Sequence, residues 1–266
     1  MIALYRFLLA GARFGAMPPL HLRWLILCLL VLLLSPGAQA RDLVVFGEPT
    51  LESALRQVGA TWRERSGVRV DVFVAPSDLS FAQIERGARC DVVFVLAGSA
   101  LTAASEKGIV KSIRPIFRNS LMLIGRPDRP SPVANRNDPI ALVAGRKLAI
   151  ANPDRDPAGT YGVRWLREAG IPDDDRNIIV AENSAGVLTL LTDKMAQVGI
   201  VYATDAAARS DLPVATPLPA QSYPAIDYVV AEAMEPKSDT KPFLDFLGSA
   251  EAKAVFKAAG LQFVSE

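Results

Sequence analysis

Histidine and cysteine are nearly missing from this chain: its 266 residues carry one histidine, His21, and two cysteines, Cys28 and Cys90. His21 and Cys28 fall in the first 40 residues, which differ in kind from the rest. Arg6, Arg13 and Arg23 precede the apolar run Trp24 to Leu34, with Ser35-Pro36-Gly37 and Ala38-Gln39-Ala40 after it. That is the pattern of a secretory signal cleaved after Ala40. The run is well short of the roughly 20 residues a membrane-spanning helix needs. Met17 is an alternative start that gives a signal of more ordinary proportions. Once the segment is removed, no histidine and one cysteine remain. Ser-His and Cys-His couples and His-bearing metal sites are thereby excluded, and Cys90 has no partner for an internal disulfide. Its setting, Arg89-Cys90-Asp91-Val92-Val93-Phe94-Val95, at the mouth of an apolar strand, suits a small packed thiol better than a reactive one.

An excess of positive charge is lacking too. Of 29 basic side chains three leave with the signal and no acid does, so 26 remain against 28 acidic ones, a net of −2. A basic field for nucleic acid is therefore absent. No phosphate loop of the form GxxxxGK[ST] occurs either. Neither a metal cation nor an organic cofactor is expected; a bound metal would be the centre of the ligand itself. Low-complexity tracts, sustained heptads and internal repeats are also missing, while half of the residues are apolar. Disorder and coiled coil are set aside in favour of a packed core, in one large or two small domains.

Short apolar runs alternate with helical patterns. Strands are expected near 43–46, 68–74 and 91–95, with helices at 50–65, 79–87 and 98–107. A second series has strands at 120–125, 147–151, 177–181 and 198–202, with helices at 158–169 and 184–194. Ile226 to Ala231 reads as one more strand, followed by helices at 238–246 and 249–259 that return to complete the first half. Such series imply α/β layering with mostly parallel sheets, in two lobes. Proline-rich connections at Arg126 to Pro132 and Pro213 to Pro224 read as surface loops.

Four turns between a strand and the next helix hold the candidate chemistry: Gly47-Glu48-Pro49-Thr50-Leu51, Ala75-Pro76-Ser77-Asp78-Leu79-Ser80, Asp156-Pro157-Ala158-Gly159-Thr160-Tyr161 and Ala181-Glu182-Asn183-Ser184-Ala185-Gly186. In open α/β sheets ligands bind beyond the carboxyl ends of the strands, where the first helical N–H groups lack partners and attract anions. Thr50, Ser77 and Ser184 each have a plainer reading as N-caps, worth about 1 kcal/mol apiece. Four such turns together, without a paired acid and base, fit capture of an oxyanion better than catalysis.

Val45-Phe46, Thr50-Leu51, Ala54-Leu55, Gln83 to Ala88 with Asp91-Val92, Asn119-Ser120-Leu121, the turn DPAGTY at 156–161 and the run GIVYATDA at 199–206 resemble the molybdate-binding proteins of bacterial ABC importers, from about residue 42 to 264. The resemblance implies an α/β two-lobed periplasmic binding protein fold of type II: two mixed sheets flanked by helices, with a hinge of two crossing strands at Leu121 to Gly125 and Tyr228 to Ala231. Residues 41–121 plus 228–266 would form lobe 1 and residues 122–227 lobe 2, behind a signal at 1–40. It also implies a periplasmic, monomeric, non-catalytic receptor for molybdate or tungstate that partners an inner-membrane ABC permease.

Carried over residue by residue, the resemblance implies that Thr50 and Ser77 supply hydroxyl groups from the first lobe, Ala158 and Ser184 backbone amides from the second, and Tyr202 a phenol. Ser80 is an alternative to Ser77. Glu48 is a possible ligand contact of the wrong charge for a dianion. Either it turns to solvent, which the rigid Pro49 favours, or the ligand is something else: a small carboxylate, a zwitterion or a cation. Asp78 repeats the problem mildly, although an acid in a first helical turn is stabilising in its own right. A hydrolase using Ser77 or Ser184 is a further class, weakened by the lack of histidine. A periplasmic sensor or accessory protein using the same cleft is not separated from an importer component.

Overall fold

The computed structural model describes residues 42–125, 138–172, 176–209, 211–212 and 214–264. The expected signal at 1–40 and the proline-rich connection at 126–132 lie outside the described residues.

Residues 42–119 build β1 (Leu43–Gly47), a 3-10 turn (Pro49–Leu51), α1 (Glu52–Ser66), β2 (Val70–Val74), α2 (Ser77–Glu85), β3 (Val92–Leu96), α3 (Ser99–Glu106) and the long β4 (Val110–Asn119). Next come β5 (Leu121–Gly125), α4 (Pro139–Val143), β6 (Leu148–Ala151), α5 (Pro157–Glu168), β7 (Ile178–Ala181), α6 (Ser184–Thr192), β8 (Val198–Tyr202), α7 (Ala203–Ala207) and β9 (Val214–Pro217). A second 3-10 turn (Ala220–Ser222) leads to β10 (Ile226–Ala233), α8 (Thr240–Leu247), α9 (Ala250–Ala258) and β11 (Gln262–Phe263).

The strands form two sheets in the orders β11-β4-β10-β3-β1-β2 and β7-β6-β8-β5-β9. In the first, β2, β1 and β3 run parallel, while β10 is antiparallel to both β3 and β4. In the second, β7, β6 and β8 run parallel and β5 is antiparallel to β8 and β9. Both sheets are thus mixed, as expected.

Period-two alternation explains why the central strands read as unbroken apolar runs. Leu43, Val45, Val92 and Phe94 face one cluster with Trp62, Phe243 and Phe256 of α1, α8 and α9. Val44, Phe46, Val93 and Val95 face the other with Phe81 and Leu101 of α2 and α3. The C-terminal helices therefore return to the first sheet.

β4 was not expected as a strand. Its exposed residues include Lys111, Pro115 and Arg118, and Pro115 sits where the β10 pairing shifts register. A proline cannot donate to the ladder and is tolerated at such irregularities. The chain changes sheets between Asn119 and Leu121, and again between Pro217 and Ile226. The expected hinge strands lie just beyond these points: β5 is wholly in the second sheet and β10 wholly in the first. The crossings are tied together by Leu121 N to Tyr223 Oη at 3.1 Å and Leu218 N to Leu121 O at 2.9 Å.

Candidate functional site

Every turn singled out from the sequence leaves the carboxyl end of a parallel strand. Glu48 follows β1, Ser77 follows β2, Asp156 lies beyond β6, Ser184 beyond β7, and Tyr202 ends β8. Tyr228 reaches the same edge because β10 is antiparallel to β3 and pairs Tyr228 with Leu96, the last residue of that strand. The two groups meet where the turn Pro49–Leu51 lies against α7 and where Asn119 Nδ2 donates to Thr204 Oγ1 at 3.0 Å.

None of the three hydroxyl residues is an N-cap. Pro76 precedes α2, Leu51 precedes α1 and Asn183 precedes α6; among these, Asn183 caps through its side chain, to Gly186 N at 2.9 Å. The hydroxyls of Thr50, Ser77 and Ser184 are each directed to a side chain instead.

On the first-sheet side, the Thr50 and Tyr228 hydroxyls are hydrogen-bonded at 2.7 Å. Tyr228 Oη also accepts from Asn119 Nδ2 at 3.2 Å. Either of the two hydroxyls can be the donor in their shared bond. The Ser77 hydroxyl donates to Glu48, and Ser77 Oγ accepts from Leu96 N at 3.2 Å. Ser80 is fully buried and donates to Ala75 O at 3.2 Å, so its hydroxyl is directed to the backbone of its own turn.

Glu48 does not turn to solvent. It is 7% exposed, which corrects the outward direction favoured by Pro49; the carboxylate is directed at the Ser77 hydroxyl, a third arrangement beside exposure to solvent and a ligand of another charge. Pro49 does hold a rigid turn, but that turn aims the preceding side chain at Ser77. Burial pushes the Glu48 carboxyl above its ordinary value; the Ser77 hydroxyl and the backbone at Leu96 and Ser77 pull it back, and the charge of Asp78 adds to the rise. Asp78 itself is exposed in the first turn of α2.

On the second-sheet side one carboxylate gathers all three expected donors. Asp156 Oδ1 accepts from Ala158 N at 2.9 Å and from Tyr202 Oη at 3.3 Å, while Oδ2 accepts from Ser184 N at 2.8 Å. The Ser184 hydroxyl donates to Asp205. Burial, and then the Asp156 charge, push the Tyr202 phenol up, so it stays a protonated donor. Burial likewise raises the carboxyl of Asp205, opposed by the Ser184 hydroxyl. Gly159 lets this turn close: a Cβ there would fall 2.3 Å from Ala151 O.

The sequence reading missed Asp156, Asp205, Asn119 and Tyr228 as members of this network. A signal was present: the acids stand inside the two most distinctive stretches, DPAGTY and GIVYATDA. Cys90 is buried, donates to Val92 O at 3.3 Å, and has its thiol pushed up to about 12 by burial. Among the described residues no group of three or more His, Cys, Asp or Glu side chains is placed to hold a metal ion.

Two mixed sheets whose carboxyl-end turns meet over one set of polar donors define a class of two-lobed receptors that hold a small solute between their halves. The family described as bacterial extracellular solute-binding protein matches residues 43–262, and the chain belongs to that family. It is 28% identical over 231 residues to the molybdate-binding protein ModA of Escherichia coli (strain K12), covering 84% of this chain and 90% of that one. Its fold is similar to that of the Azotobacter vinelandii periplasmic molybdate-binding protein, with a TM-score of 0.68 at 22% identity over 84% of this chain and 99% of the other. The tungstate-binding protein TupA of Desulfovibrio alaskensis G20 is similar in fold too, with a TM-score of 0.60 at 14% identity over 85% of this chain and 100% of the other.

Proposed function

We propose that this protein is a non-catalytic extracytoplasmic receptor that captures a small tetrahedral oxyanion, molybdate or tungstate, between its two sheets and delivers it to an inner-membrane ABC importer. It acts as a monomer in the periplasm, and its lobes are residues 41–121 plus 228–266 and residues 122–227. Family membership and the ligands named for its relatives support the reading. The observation that carries it is the convergence of Ala158 N, Ser184 N and Tyr202 Oη on a single pair of anionic oxygens. Two helix N-termini and a phenol that cannot ionise at working pH form a donor set suited to an oxyanion. The Thr50 hydroxyl extends that set from the first sheet, and Ser77 joins it once its hydroxyl is released from Glu48.

Thermal unfolding with sodium molybdate or tungstate, beside sulfate and amino acids, tests the reading. A ligand at 100 times its dissociation constant stabilises by about 2.7 kcal/mol. A shift with a metalate and none with amino acids is the expected result; no shift with either metalate would refute the assignment.

A further inference from the structure

Asp156 begins as an ordinary capping residue and ends as something more. As N-cap of α5 its side chain needs to accept only from Ala158 N. Its second oxygen instead accepts from Ser184 N, the first residue of α6, a helix that already has Asn183 as its cap. A third donor comes from the end of β8, Tyr202 Oη. Three separate elements thus direct their anion-seeking groups at one side chain. These are the same three groups that the proposed function needs for the ligand's oxygens, so the inference rests on that reading.

We propose that Asp156 is a resident anion of the cleft: its carboxylate fills the place of two ligand oxygens at Ala158 N, Ser184 N and Tyr202 Oη, and a solute oxyanion enters by displacing it. Asp156 is then a specificity-determining residue. It keeps the donors organised while no ligand is bound, and it sets how strongly an incoming anion must compete. Charge-assisted hydrogen bonds are roughly twice as strong as neutral ones, so a weakly accepting anion does not displace three of them. The carboxylate also stays tethered to the turn after displacement. Its charge remains near the site and opposes a dianion more than a monoanion.

The test is calorimetric titration of wild type, Asp156→Ser and Asp156→Ala with sodium molybdate and sodium tungstate, with sulfate alongside. Serine is itself a good N-cap, so the first variant removes the charge and the bridge to Ser184 while keeping the α5 cap. Unliganded melting curves of both variants show that they are folded. Both should bind metalate on the order of tenfold more tightly than wild type, or better, and discriminate less against sulfate. Equal or weaker binding by both variants, with wild type binding metalate, overturns the inference and leaves the oxyanion reading standing. Metalate binding confined to the variants supports the inference and overturns the wild type as a metalate receptor. No metalate binding by any of the three overturns both.

Discussion

The hydroxyl of Ser77 donates to the carboxylate of Glu48, and through this contact the turns after β1 and β2 are locked to each other. Ser77 therefore has no proton to offer a ligand while Glu48 accepts it; its oxygen is occupied by Leu96 N on the other side. Glu48 is both a like charge for an oxyanion and the group that diverts Ser77, a donor in the proposed site.

Removing that carboxylate should strengthen oxyanion binding. Glu48→Ala deletes a charge and returns the Ser77 hydroxyl to the cleft. At an effective dielectric near 20, unit charges about 4 Å apart interact by about 4 kcal/mol, and a dianion feels twice that; even a quarter of it is more than tenfold in affinity at roughly 1.4 kcal/mol per decade. Calorimetric titration with molybdate should show at least about a tenfold gain in Glu48→Ala. A loss of affinity would instead mean that Glu48 accepts a proton carried by the ligand.

The same burial makes stability depend on pH in a direction opposite to that of an ion-paired acid. Glu48 and Asp205 are held above their ordinary values of 4.5 and 3.8. Between the ordinary and the raised value the native state binds more protons than the unfolded one, so stability falls as pH rises through that window. It is highest below the ordinary values and fully reduced above the raised ones. Glu48→Gln should be more stable than wild type at pH 7 and lose less on the way up from pH 4.5. Each 1 kcal/mol recovered corresponds to about 2–4 °C in melting temperature for a protein of this size. Parallel pH profiles for the two proteins would contradict the assignment.

What could be read from the sequence follows from which contacts are local. The buried parallel strands β1, β3, β6 and β8 were visible as short apolar runs, and α1, α5 and α6 as patterns beginning at turns. β4 was not, because Lys111 to Ile113 are exposed and it carries Pro115 at a register shift with β10, a partner more than 100 residues away. α7 was not, because it starts on the residue after Tyr202 with no punctuating glycine or proline. The hydroxyl positions were legible because strand-to-helix turns are a local signal. Their partners were not: whether Ser184 caps its own helix or meets Asp205, and whether Glu48 faces out or meets Ser77, depends on elements packed from elsewhere in the chain.

Cys90 should be chemically silent in the folded protein. Burial holds its thiol near 12, so at pH 8 the reactive thiolate is a minute fraction and is also inaccessible. A thiol-reactive aromatic disulfide should leave Cys90 of the native protein unmodified over hours and label it at once in denaturant. Rapid labelling of native protein would show that β3 opens locally.

The position of the Ala158 amide rests on a close approach of backbones, and Gly159 is where that can be tested. A methyl group at Gly159 would lie 2.3 Å from Ala151 O and 2.7 Å from Ala151 C and Asn152 C. These are main-chain atoms at the end of β6, and no rotamer change relieves the overlap, so the start of α5 must move away from the strand. Overpacking of this kind costs about 1–3 kcal/mol, a fall of about 2–12 °C at 2–4 °C per kcal/mol. The shift carries Ala158 N with it, so Gly159→Ala should weaken metalate binding as well as stability. Gly162, one turn further along, supplies the comparison. A methyl group there meets Ile200 side-chain atoms at 3.5 Å or more, and alanine is the better helix former by roughly 0.5–1 kcal/mol. Gly162→Ala should therefore hold or slightly raise the melting temperature and leave affinity unchanged. Equal behaviour of the two variants would mean that the contact between Gly159 and the end of β6 does not position the Ala158 amide for the proposed ligand.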